Sequence, residues 1–138
     1  MRRVLLLAVL LMPATLPARE FRSEAEMRAF TDQVMELAAA GNLKAALDLV
    51  SEAYTVVPRA ELEAMTGQAL LQAPMVEGRF GKSLGHEFVK EEKAGKSIVR
   101  YVQKFEKHPV GWRFVFYKPA DHWLVNSFFF SDTMAEQL

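Results

Sequence analysis

The stretch Gly111 to Asp132, GWRFVFYKPADHWLVNSFFFSD, decides the fold. It holds two aromatic runs, Trp112 to Tyr117 and Trp123 to Phe130, separated by the turn-forming residues Pro119, Ala120, Asp121 and His122. Strict alternation puts Trp112, Phe114 and Phe116 on one face of the first run, with Arg113, Val115 and Tyr117 on the other. In the second run it groups Trp123, Val125 and Phe129 against Leu124, Phe128 and Phe130. Both faces are therefore largely apolar. Helices can cover one, and the other needs a second cover such as a partner subunit, a ligand or the sheet curling on itself.

Two more strands precede this hairpin. His86 to Lys90 reads as a strand that can begin as early as Gly81, Lys93 to Lys96 as a turn with Gly95 free to take positive φ, and Ser97 to Lys107 as the next strand. His108 to Gly111 reads as a further turn. Short connections make the four strands antiparallel.

Helices fill the region before Pro74. Ser23, three residues before Glu26, has the spacing of a capping box. Met27, Phe30, Val34, Leu37 and Ala38 then recur at helical spacing. Gly41 ends this helix and Asn42 caps a second, whose stripe is Leu43, Ala46, Leu47, Val50 and Tyr54. Pro58 suits the first turn of a third, with Leu62, Met65, Ala69 and Leu70 facing inward, and Pro74 is expected to end it. The expected fold is α+β: three N-terminal helices packed on a curved four-stranded antiparallel sheet.

Residues 1–18 have the layout of a secretory signal peptide. Arg2 and Arg3 lead an apolar run from Val4 to Met12, and small residues follow up to Ala18. A run of about nine apolar residues is too short for a membrane-spanning helix, which needs roughly 20. Cleavage after Ala18 leaves one domain, 19–138, that is exported, periplasmic or secreted, and free of the membrane. With no cysteine in the chain, neither a disulfide nor a lipid-anchored cysteine is available, so the core alone must hold the fold. The domain carries 15 basic and 17 acidic residues, a balance that excludes a nucleic-acid footprint.

No catalytic constellation stands out. His86, His108 and His122 lie on separate segments without metal-ligand spacing, so neither a metal nor a cofactor is implied. Gly81-Lys82-Ser83-Leu84-Gly85 has the letters of a nucleophile elbow but runs from helix to strand, the reverse of the order that chemistry needs. Tyr54, His86 and Tyr101 are the residues placed to reach an interior pocket.

Three helices followed by an antiparallel sheet with aromatic last strands resembles the nuclear-transport-factor-2-like superfamily, in particular its small exported bacterial members. The resemblance rests on Gly81-Lys82-Ser83-Leu84-Gly85 leading into the first strand, on Trp112 to Pro119, and on Trp123 to Phe128 followed by Asp132. It implies a cone-shaped α+β domain with a helix-lined mouth, and it spans proteins with and without catalysis, so it does not select an activity. Two functions follow as expectations. One is a non-catalytic module, a homodimer pairing sheet on sheet, that binds a protein or an apolar small molecule. The other is a small enzyme of isomerase or dehydratase type that uses Tyr101 and His86 as acid or base.

Overall fold

The computed structural model describes residues 19–133, so the expected signal peptide lies outside the described residues. Three helices precede four strands: α1 (Glu24–Ala39), α2 (Leu43–Ala53), α3 (Arg59–Phe80), β1 (Ser83–Lys93), β2 (Lys96–Phe105), β3 (Pro109–Tyr117) and β4 (Leu124–Ser131). The strands form one antiparallel meander in the order β1-β2-β3-β4. The chain is thus α+β, with its helices N-terminal to its sheet.

The helix boundaries follow from local chemistry. Ser23 caps α1, its Oγ accepting from the Glu26 amide at 3.2 Å, and the Glu26 carboxylate accepts in return from the Arg22 amide at 2.8 Å. That return bond lands one residue ahead of the usual capping box. Asn42 caps α2 through the Ala45 amide at 3.3 Å, and Gly41 carries the chain between the helices at φ +84°. The apolar stripes of both helices are buried: Met27, Phe30, Val34, Met35 and Ala38 from α1, and Ala46, Leu47, Val50 and Ala53 from α2. They rest on a sheet face built from Val99, Tyr101, Trp112, Phe114, Phe116 and Val125, all of them buried.

Helix α3 corrects the expectation that Pro74 ends it, for it continues six residues further, to Phe80. A proline at this position deprives the Leu70 carbonyl of its helical donor. Pro74 lies on an exposed face, where water can reach that carbonyl, and the bonds on either side keep the helix continuous. The end comes at Gly81, at φ +85°, where the amide returns to the Glu77 carbonyl at 2.8 Å. Leu62 and Phe80 are its buried residues, and α3 packs mainly on α2. Met65, expected to face inward, is half exposed.

Three irregularities set the sheet faces. Single extra residues interrupt the pairing at Leu84 and Val89 in β1 and at Asn126 in β4. Each reverses the phase of the side chains that follow. Asn126 therefore corrects the face assignment in the last strand. Val125, opposite Phe116, joins Phe128 and Phe130 on the helix-covered face, opposite Phe114 and Trp112, while Phe129 points to the other side and is 52% exposed. Pro109 to Gly111, expected as a turn, open β3 instead. Trp123 precedes β4 and pairs with Phe21, each amide donating to the other's carbonyl at 2.7–2.9 Å. This pairing stitches the start of the domain to its last strand and buries Phe21 in the core.

Gly81 is the sharpest point of this architecture to test. A Cβ there would lie 2.8 Å from the Glu106 Cβ, at a φ that side chains rarely adopt. Gly81→Ala is expected to lower stability in urea unfolding by roughly 1–3 kcal/mol. Pro74→Ala should raise it, because the Leu70 carbonyl regains its partner.

Candidate functional site

The three residues singled out from sequence fall into two separate places. Tyr101 and His86 are neighbours on the helix-covered face, their rings 6.1 Å apart. Tyr54 lies at the end of α2, edge-on to Phe128 at 5.7 Å.

The Tyr101 side chain is fully buried and tied into α1. Its hydroxyl donates to Asp32 Oδ1 at 2.5 Å and lies 2.7 Å from the Thr31 hydroxyl, which also reaches the Arg28 carbonyl at 3.1 Å. Arg28 pairs with the same Asp32 oxygen at 3.1 Å and stacks its guanidinium on Phe88, 3.3 Å from the ring centre. Burial, and after it the bond to Asp32, push the Tyr101 phenol well above its ordinary range. A phenol so placed stays protonated, and its proton is already committed to Asp32. The arrangement joins helix to sheet, and Asp32 is not a desolvated carboxylate, since its side chain is 42% exposed and held by Arg28.

Sequence patterns pass over Asp32. The available signal was its position: it lies four residues after Arg28 and beside Thr31, at the edge of the buried stripe of α1.

A larger feature lies elsewhere. Between α3 and the helix-covered face of the sheet is a cleft of about 1070 Å³. Helix α3 contributes Leu62, Ala69, Val76 and Phe80, α2 contributes Leu43 and Leu47, and the sheet contributes Phe105, Val110, Trp112, Phe128 and Phe130. Trp112 and Phe130 stack at 4.4 Å along its wall. Ligand sites typically run from about 300 to 1,000 Å³ and are mostly apolar with a few fixed polar groups. Tyr54, His86 and Tyr101 are not among the lining residues.

The fixed polar group of the cleft is Gln103, a residue the sequence reading did not single out. Its amide nitrogen donates to the Ala38 carbonyl at 3.1 Å and to Ser83 Oγ at 3.0 Å, and its oxygen accepts from Trp112 Nε1 at 3.0 Å. Both amide protons are thereby used, and the Trp112 ring is locked in place. Ser83, which accepts from Gln103, keeps its own hydroxyl proton available at the cleft wall. The signal for Gln103 was a polar amide in phase with Val99, Tyr101 and Phe105, at positions that alternation assigns to the core.

Among the described residues, no group of three or more histidine and carboxylate side chains is placed to hold a metal ion. No helix among them is long and apolar enough to cross a membrane. Comparison of the chain with protein-family models, curated proteins and solved structures returns no match.

The Tyr101 clamp makes a pH-dependent prediction. A phenol whose folded value is raised contributes stability that is complete below the unfolded value, about 10, and that is lost as pH climbs from there toward the folded value. Tyr101→Phe is expected to cost roughly 1–2 kcal/mol at pH 7. In paired unfolding curves between pH 8 and pH 11 (a range set around the free phenol value), the gap between native and variant protein should narrow above pH 10.

Proposed function

We propose that this protein is a non-catalytic binding module that holds an apolar small molecule between α3 and the sheet. The observation that carries this is the cleft itself, whose lining is mostly apolar and includes the buried, hydrogen-bonded amide of Gln103. Tyr101, Asp32 and His86 lie outside that lining, and the Tyr101 hydroxyl is committed to structure. An isomerase-type reaction in the cleft would need a buried acid or base, and the carboxylates that line it, Glu61, Glu77 and Asp132, are not buried.

A nuclear-transport-factor-2-like kinship belongs to the same proposal. Helices ahead of an antiparallel meander, with the opening between helix and sheet, support it. So do the bulges at Leu84, Val89 and Asn126, since bulges are where sheets of this kind bend. Export rests on the composition of residues 1–18, and an exported binding module without disulfides agrees with a domain held by one large core. The module's outer sheet face, where Ile98, Val102, Val115 and Phe129 sit, would meet another surface in use.

Titration of the purified protein with the neutral apolar fluorophore N-phenyl-1-naphthylamine tests the cleft. Saturable binding with energy transfer from tryptophan is expected. Ala69→Trp, which fills the cleft from α3, should weaken it at least tenfold at an unchanged urea midpoint, and Tyr101→Phe should leave it intact. Probe binding that survives Ala69→Trp would remove the cleft from consideration.

A further inference from the structure

The face of the sheet turned away from the helices carries a row of cations. Lys90, Arg100 and Arg113 stand side by side on β1, β2 and β3, and Phe129 of β4 continues the row. Arg100 and Arg113 are direct cross-strand partners, an arrangement in which like charges oppose each other and destabilise the sheet. Glu92 answers part of this charge, bonding Lys90 at 3.1 Å and Arg100 at 3.4 Å. Its carboxyl is held below the usual range first by Lys90, with Arg100 contributing less. Arg113 has no carboxylate partner among the described residues. The Nε atoms of Arg100 and Arg113 are both shut off from water without a hydrogen-bond partner.

Nothing among the described residues requires this arrangement. The arginines share this face with Ile98, Val102 and Val115, where uncharged side chains of similar length would serve as well. Two guanidiniums set opposite each other, one of them without a counter-ion among the described residues, make sense when negative charge arrives from outside. We infer that this face docks an acidic polypeptide segment whose carboxylates pair with Arg100 and Arg113 while its apolar side chains lie against Phe129.

Charge and shape select this occupant. Guanidinium forks match carboxylates in geometry, and the row crosses three strands, roughly 10 Å at ordinary strand spacing. That span suits a chain with repeated acidic groups better than a single small anion. A second copy stacked about a two-fold axis through the row would set guanidinium against guanidinium. A phosphate polymer or an anionic bilayer would meet a domain that is otherwise slightly acidic, with 15 basic and 17 acidic residues in 19–138.

The test is fluorescence anisotropy with a labelled twelve-residue peptide of repeating Glu-Ser-Glu-Leu, at low and at physiological salt. Arg100→Gln and Arg113→Gln are each expected to weaken binding at least fivefold and the double variant more, while Lys44→Gln on α2 leaves it unchanged. The thermal midpoint of Arg113→Gln without peptide should hold or rise, because a like-charge opposition has been removed. A fall in that midpoint, or failure of the variant to fold, would show that the arginines serve structure and would overturn the proposal. So would peptide affinity that is indifferent to both substitutions, or equal affinity for a single-stranded DNA twelve-mer or for phosphatidylglycerol vesicles. A native dimer by sedimentation that Arg113→Gln converts to monomer would overturn it as well, in favour of self-association. None of these outcomes depends on the cleft, which lies on the other face.

Discussion

Burial of Trp112, Phe114 and Phe116 beneath α1 and α2 is the constraint from which the rest of the structure follows. These side chains lie in the middle of the sheet, and none is more than about 1% exposed. Moving each from water contributes about 2–3 kcal/mol, more than any single cap or surface ion pair can supply. Because β3 is flanked on both sides, their burial fixes the inward phase of its neighbours as well: Val99 and Tyr101 on β2, Phe128 and Phe130 on β4. The polar groups that share this face are there because they are satisfied. Tyr101 reaches Asp32 and Thr31, and Gln103 reaches Ala38, Ser83 and Trp112. Both sets of bonds run from sheet to elsewhere in the fold, so they set the position of α1 on β2 as well as relieving burial.

Helix α3 is held differently. Its inward stripe runs through Leu62, Thr66, Ala69, Ala73, Val76 and Phe80, and the middle of that stripe is small. Large residues at the two ends dock while small ones between them leave space, which is how a 22-residue helix comes to stand over a cleft rather than fill it. Leu71 and Met75 point outward and are 74% and 70% exposed, so its apolar content does not all go into the core. Gly67, Pro74 and Gly78 further lower its intrinsic helicity. An element with few buried contacts and weak propensity belongs to the low-stability part of a fold, where opening costs least. That suits a wall that must admit a ligand.

What could be read from sequence divides along the same line. Ser23, Gly41 with Asn42, and Gly95 mark boundaries because each acts through its own backbone or the next turn, and all sit where local chemistry puts them. The aromatic hairpin was visible for the same reason: period two survives any tertiary context. Pro74 misleads because the cost of a proline in a helix depends on whether the freed carbonyl can reach water, which is a property of the folded surface. Asn126 misleads because a bulge has no required residue type, and one inserted position moves Phe129 to the opposite face. Asp32 and Gln103 were hidden because each is defined by its partner. Asp32 becomes notable only when Tyr101, 69 residues later, arrives at 2.5 Å, and Gln103 only when Ala38 and Ser83 do.

The strands that build the two candidate surfaces are the same ones. Along β2, Val99, Tyr101 and Gln103 face the helices, while Ile98, Arg100 and Val102 face outward, and β3 repeats the alternation with Trp112 and Phe114 against Arg113 and Val115. The inward set obeys every rule of a stable core: apolar, dense, with its polar atoms paired. The outward set breaks several at once, placing like charges opposite each other, leaving two guanidinium nitrogens unpaired and exposing Phe129 beside them. Natural sequences are locally consistent except where another demand intervenes. Here the inconsistency is confined to one side of two strands whose other side is beyond reproach, so general instability of the sheet does not explain it. A surface whose charge is answered in part by Glu92 and, as proposed above, otherwise from outside does.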